Sequence, residues 1–200
     1  RDPEKGFTAD AFPEAFRIVA GVAGDSTGKV IAEFGPGDTF LPRIAPLIIP
    51  LDPLTASWVR IETVKMSLRA FDGLYGLQLS EVLIFQGQQN IALDHPVTTS
   101  QRKEGFSIAW NPQFLVDGFM PYLMNTARGE QSVAYVTRTF AKDDPSAIPI
   151  EVPLSLTVDL HHPTPLSRIH LHSIDQSDTA PQSFTGDFGI PLLTRIEGAN

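Results

Sequence analysis

The sequence predicts an all-β fold of the sandwich or jelly-roll kind, and three observations predict it. Seventeen prolines and fifteen glycines are spread along the 200 residues, so turn-forming residues interrupt the chain every few positions. The segments between them are short and rich in Val, Ile and Phe, the composition of strands. No segment carries a sustained helical stripe of ten or more residues, and AWNPQFLVDG has room for a single turn. Hydrophobic residues at 42% and charged residues at 19% describe a globular chain with a core. The length suits one large or two small domains.

Five segments of the first part read as strands: FRIVAGV, KVIAEF, APLIIPL, SWVRIETVKM and LQLSEVLIF. In the fourth, Val59 and Ile61 alternate, and the phase then slips to Val64 and Met66, which implies a bulge of one extra residue. In the fifth, Leu77, Leu79, Leu83 and Phe85 fall on one face, which Glu81 interrupts, and Val82 and Ile84 make the other face apolar as well. A central strand with a carboxylate among its leucines is expected. A polar joint, QGQQN, leads to NIAL, PVTTS, VAYVTRTF, SLTVDL and RIHLHSI. Leu156, Val158 and Leu160 alternate with Thr157 and Asp159, as in a half-buried antiparallel strand. About ten short strands with turn signals at this spacing argue for a sandwich or jelly roll.

The net charge of −8 and a pI near 5.0 give no support to nucleic-acid binding, which selects a clustered Lys/Arg face. The longest apolar runs, such as APLIIPL, are too short to span a bilayer, so no membrane insertion is expected. With no cysteine, disulfides, thiolate metal sites and thiol catalysis are excluded. That fits a cytoplasm, or a bacterial exterior where folds dispense with bridges. A start at Arg1 rather than Met suggests a processed or excised segment.

The chain also ends in nearly the words with which it begins. FTADAFPEAFRIVAG and FTGDFGIPLLTRIEGAN both read Phe-Thr-x-Asp, then a Pro four residues before Arg-Ile, then a Gly. The chain thus spans little more than one period of a long repeat.

Several motifs resemble the discoidin or coagulation-factor type C family of the galactose-binding-like superfamily. They are Trp58-Val59-Arg60-Ile61, Ser80-Glu81, Asn90-Ile91-Ala92-Leu93, Val97-Thr98-Thr99-Ser100 and Val116-Asp117-Gly118, with Leu156 to Leu160 and Arg168 to His172 like the family's middle pair. The resemblance covers most of the chain, in permuted order. The family's closing half lies at about residues 7–88 and its opening half at about 89–200. The resemblance therefore implies one galactose-binding-like jelly-roll β-sandwich over residues 1–200, circularly permuted or cut across tandem repeats. The permuted form is favoured, because adjacent termini tolerate rejoining and QGQQN is a short link.

The same resemblance implies a structural calcium held by Glu81 and Asp117, and a buried carboxylate does need a partner or a metal. The alternative is that Glu81 meets an Arg while Asp117 caps a turn before Gly118. For carbohydrate, Phe106, Trp110, Phe119 and Tyr122 stand in the stretch where relatives bind ligand, and Trp110, Tyr122 and Phe119 are the candidate ligand contacts. Each ring has a packing role as its competing reading. His170 and His172 leave one strand face near His161 and His162, but a zinc site needs further ligands at suitable spacing, so surface or seam histidines are the expectation.

No hydrolase, phosphate-loop or dinucleotide motif is present in the sequence, and no enzyme activity is expected. The implied function is a non-catalytic accessory module that binds carbohydrate within a larger extracellular or periplasmic bacterial protein. Such proteins include α-L-rhamnosidase-like enzymes. The alternative is a structural or assembly module that contacts a neighbouring domain or self-associates through exchanged strands. A glycoside-active fragment ranks below both.

Overall fold

A computed structural model describes residues 12–35, 46–68, 73–100, 111–118, 135–137 and 154–172. In chain order the strands are β1 Ala15–Gly21, β2 Lys29–Phe34, β3 Leu47–Lys65, β4 Ser67–Leu68, β5 Tyr75–Gly76, β6 Gln78–Leu79, β7 Glu81–Gln86, β8 Gln89–Asn90, β9 Val97–Thr99, β10 Tyr135–Val136 and β11 Ser155–His172. A short 3-10 turn occupies Pro112–Leu115. Every pairing among these strands is antiparallel. The fold is all-β, as the turn-rich sequence predicts.

The main sheet runs β2-β1-β3-β11-β7-β8, with β9 also paired to β11. Its axis is the pair β3 and β11, 19 and 18 residues long, where the sequence predicts two short strands in each place. APLIIPL and SWVRIETVKM fuse into β3 through Pro50 and Pro53. SLTVDL and RIHLHSI fuse into β11 through Pro163 and Pro165. A proline has no N–H to give to a ladder, so it survives in a strand only where one side is unpaired. That condition holds here. β1 pairs only with the 58–65 half of β3, β9 only with residues 156–158 of β11, and β7 only with residues 168–172. The prolines fall in stretches of β3 and β11 that have only each other as partner among the described strands.

The predicted bulge is present. Phe16 pairs with Thr63 and Ala15 with Lys65, which leaves Val64 as the extra residue, 52% exposed. A larger interruption lies in β11. Asp159 pairs with Trp58 and Thr164 with Ala56, so Leu160 to Pro163 bulge out opposite Ser57 alone. The polar joint QGQQN is a tight hairpin in which Gln86 pairs with Gln89, and Gly87 takes the left-handed backbone (φ 57°) that such a turn favours.

The core gathers the inward residues of both axial strands and their neighbours. Phe16, Ile18, Ile61, Leu156, Ile169 and Ile84 are all essentially sealed from solvent. The ring of Phe16 stacks on Phe34 at 4.7 Å and meets Phe12 edge-on at 5.6 Å. Buried Tyr135 shares a 2.7 Å hydrogen bond between its hydroxyl and that of Thr99. Tyr135→Phe keeps the ring and removes that bond, so a loss of about 1 kcal/mol is expected, read as a lower urea midpoint with unchanged m.

One end of the sheet is clamped by Trp58. Its indole N–H points at the carbonyls of Val22 (3.2 Å) and Asp25 (3.0 Å), and the Arg60 guanidinium lies 4.8 Å over its ring. Arg60 also donates to the carbonyls of Ser26 and Thr27 and pairs with buried Glu62, which Arg17 of β1 grips from the other side. The β1–β2 connection closes on itself as well. The Asp25 carboxylate accepts from the N–H groups of Thr27 and Gly28 and from the Thr27 hydroxyl. These bonds, the hydroxyl's first, hold the Asp25 carboxyl below its usual range.

Candidate functional site

The site is built around Glu81, the first residue of β7. The sequence reading places Glu81 on the face of Leu77, Leu79, Leu83 and Phe85; the structure keeps it with Leu83 and Phe85 and separates it from Leu77 and Leu79. The strand breaks at Ser80, whose N–H is taken by the His172 carbonyl at 2.8 Å, while β6 turns aside to pair with β10. The break shifts the phase, so Leu79 and Val82 both enter the core. Glu81 therefore begins the opposite face of β7, shared with Leu83, Phe85 and the cross-strand neighbours His172, His170 and Arg168.

Despite that position the Glu81 side chain is completely buried. Its Oε1 accepts the Gly118 N–H at 3.0 Å, and its Oε2 has no hydrogen-bond partner among the described residues. Burial is the main reason that its carboxyl is pushed up to about 9, and the charges of Asp117 and then Asp94 push the same way. Unless a cation joins it, Glu81 is a neutral acid at pH 7.

Two loops supply the surroundings. In residues 111–118, Asn111 caps the 3-10 turn by accepting the Gln113 N–H at 3.0 Å, and Pro112 follows in a position that needs no N–H. Val116 then donates back to Gln113, and Gly118 closes the segment with a left-handed φ of 80°. In the β8–β9 connection, Asp94 also sits in the left-handed region (φ 59°) and donates its N–H to the Val116 carbonyl at 2.8 Å. The Gln113 side chain donates to the His95 carbonyl at 2.8 Å, so the two loops are stitched twice.

Glu81 is thus tied to Gly118, the neighbour of Asp117, and the charges of Asp117 and Asp94 reach its carboxyl. The sequence reading did not single out Asp94. The chemistry of this cluster fits a hard cation, because an unpartnered buried carboxylate oxygen beside two further carboxylates is the kind of donor that Ca2+ or Mg2+ takes. Among the described residues no three His, Asp or Glu side chains are set to hold an ion by themselves. Backbone carbonyls and water would have to supply the rest of a calcium shell. The competing expectation, an Arg partner for Glu81, finds no such ion pair among the described residues.

Directly opposite Glu81, His172 carries a second buried atom without a partner, Nε2. Burial first, and the neighbouring His170 second, bring its pKa down to about 4, so it is neutral beside the neutral Glu81. His170 and His172 do leave one strand face together, with ring centroids 6.4 Å apart. His170 is occupied by Arg168 at 3.3 Å and by the Phe85 ring at 4.7 Å, over which Arg168 also stacks at 3.9 Å. These are seam contacts within the sheet for His170, whereas His172 keeps a buried ring nitrogen without a partner.

The candidate ligand contacts Trp110, Phe119 and Tyr122, with Phe106, lie outside the described residues. Trp110 and Phe119 immediately flank the described segment 111–118 in sequence. No family model, no curated protein and no solved structure matches this chain.

Proposed function

We propose that the chain is a non-catalytic carbohydrate-binding module of a larger extracytoplasmic bacterial protein. The observation that carries this reading is the bond from Gly118 to buried Glu81, together with the double stitching of residues 111–118 to the β8–β9 loop. Those contacts fix the root of the segment whose sequence neighbours, Trp110 on one side and Phe119 and Tyr122 on the other, are the rings suited to stack on a sugar face. Sugar recognition depends on such preorganisation, because a hydroxylated ligand gains little net free energy from each contact and a mobile loop would cancel it.

A structural calcium belongs to the same proposal, with Glu81 and Asp117 as its side-chain ligands. When bound, it would supply positive charge to a buried carboxylate and brace the loop, with no part in a reaction. The jelly-roll sandwich of galactose-binding-like type, with its halves permuted, is the matching proposal for the fold. It is supported by the change of partners along β3 and β11. β1 and β9 flank one half of that pair, and β7 flanks the other, an arrangement that lets a single set of strands form two faces.

Calorimetric titration against a panel of plant and algal oligosaccharides tests the function. Saturable binding is expected that Trp110→Ala or Tyr122→Ala weakens by at least about tenfold, the effect of losing roughly 1.4 kcal/mol. A panel without binding, or binding indifferent to both substitutions, overturns it.

A further inference from the structure

A second cluster lies away from Glu81, at the corner where β11 bulges between Asp159 and Thr164. His95 comes to it from the β8–β9 loop and His161 from the bulge, and their ring centroids stand 5.0 Å apart at an interplanar angle of 40°. Asp159 holds both. The His95 Nδ1 lies 2.7 Å from the Asp159 backbone carbonyl, which can only accept, so Nδ1 carries the proton and Nε2 keeps its lone pair. The His161 Nδ1 faces the Asp159 Oδ2 carboxylate oxygen at 3.4 Å, an arrangement that favours the tautomer with Nε2 free for a metal. Ligating histidines are oriented in this way, with one ring nitrogen tied to a carboxylate or carbonyl and the other turned to the metal.

The backbone of both residues is set with some care. The His95 N–H is bonded to the Ala92 carbonyl, its own carbonyl accepts from Gln113, and the next carbonyl, that of Pro96, accepts the Asp159 N–H. His161 sits at φ 63°, a left-handed conformation that few residues other than glycine adopt, and the Asp159 Oδ1 caps its N–H at 2.8 Å. The His161 side chain is 50% exposed and lies outside the core. The spacing matches chelation. Two imidazoles bound through Nε2 to one ion at about 2.0–2.1 Å, at cis or tetrahedral angles, have centroids about 4.5–5.2 Å apart.

We propose that His95 and His161 form a two-nitrogen site for a divalent transition-metal ion of the imidazole-binding class, Cu2+, Ni2+ or Zn2+, with Asp159 as the positioning residue. No third His, Asp or Glu side chain among the described residues is set around the same point, so water completes the shell. The bound ion would pin the β8–β9 loop to the bulge of β11. The site is independent of the Glu81 cluster and of the carbohydrate reading.

Titration calorimetry of the tag-free full chain with Cu2+, Ni2+ and Zn2+ tests this, with electron paramagnetic resonance of the Cu2+ form as a second readout. One-to-one binding at micromolar concentrations is expected, tightest for Cu2+ in the usual order of divalent affinities, with a spectrum showing two coordinated imidazole nitrogens. His95→Ala and His161→Asn, the latter chosen because Asn tolerates the left-handed backbone, should each weaken binding by more than tenfold. Asp159→Ala should weaken it by about tenfold through loss of orientation. Glu81→Gln and His162→Ala should leave it within about twofold, a difference of roughly 0.4 kcal/mol. Wild-type affinity in His95→Ala, an equal loss in His162→Ala, or a single-nitrogen spectrum would overturn the site.

Discussion

Glu81→Gln is expected to make the metal-free protein more stable at pH 8 and to flatten its stability across pH. In the unfolded chain this carboxyl titrates near its ordinary value of 4.5, whereas in the fold it titrates at about 9. The folded state therefore holds one more proton than the unfolded state throughout that window. Stability from this group is complete below about pH 4.5, declines as pH rises, and is gone above about pH 9. At about 1.4 kcal/mol per pKa unit the full swing is on the order of 6 kcal/mol. Glutamine has no proton to lose, keeps an oxygen for the Gly118 N–H, and turns an amide donor toward the position of the unpartnered Oε2 and the Asp117 and Asp94 charges. Urea melts of both proteins at pH 5 and pH 8 with a chelator present should show the mutant ahead only at the higher pH. If calcium is then supplied, the ranking at pH 8 should reverse, because only the wild type can discharge its carboxylate onto the ion. A wild type whose stability is level from pH 5 to pH 8 in chelator would contradict the buried neutral acid. A melt unmoved by calcium would remove the ion from the proposed function.

Gly28→Ala is expected to cost about 2–4 kcal/mol, from a left-handed backbone combined with overpacking. Gly28 has φ 66°, and an added Cβ would run into the Trp58 indole, the Ala20 carbonyl oxygen and the Val19 side chain at once. Two of those three neighbours cannot yield cheaply. The Ala20 oxygen belongs to β1, and the indole is held by its bonds to Val22 and Asp25. Gly24, four residues earlier in the same connection, is the internal control. Its φ is 88°, but nothing lies within 4 Å of the missing Cβ, so Gly24→Ala should show only the conformational cost, about 1–2 kcal/mol. Thermal melts of the two mutants should separate clearly, and equal losses would mean that Trp58 does not clamp this turn.

The readable parts of the sequence were the local ones. FRIVAGV, KVIAEF and the slip at Val64 are strand and bulge patterns set by neighbours within a few residues, and each is present in the sheet. The prolines misled for a reason the sequence cannot carry. Pro50 and Pro165 mark breaks only if both edges of their strands are paired, and pairing is a property of distant segments. The separation of Glu81 from Leu77 and Leu79 was missed in the same way, since the break at Ser80 is made by a carbonyl of β11. The bond from Gly118 to Glu81 joins residues 37 apart, which no local spacing announces. His95 went unnoticed because a lone histidine before a proline has no local signature, and its partner His161 lies on another strand. The repeated words at the two ends also gain meaning from β1. Phe16 and Val19 are buried there, whereas the closing copy carries Thr194 and Glu197 at the corresponding places. The closing copy therefore lacks the two apolar residues that β1 buries.

The register of the central pair joins Leu47 to Leu171 and Glu62 to Ser155. A nascent chain that has produced all of β3 must wait for most of the remaining sequence before that strand finds its mate, and the intervening loop has to be closed at an entropic cost before any contact repays it. Refolding from denaturant should accordingly be slow for a domain of this size. Neither the portion before the hairpin at Gly87 nor the portion after it holds both members of the pair, so a nick or truncation there leaves two fragments that reach the native sheet only by reassociating.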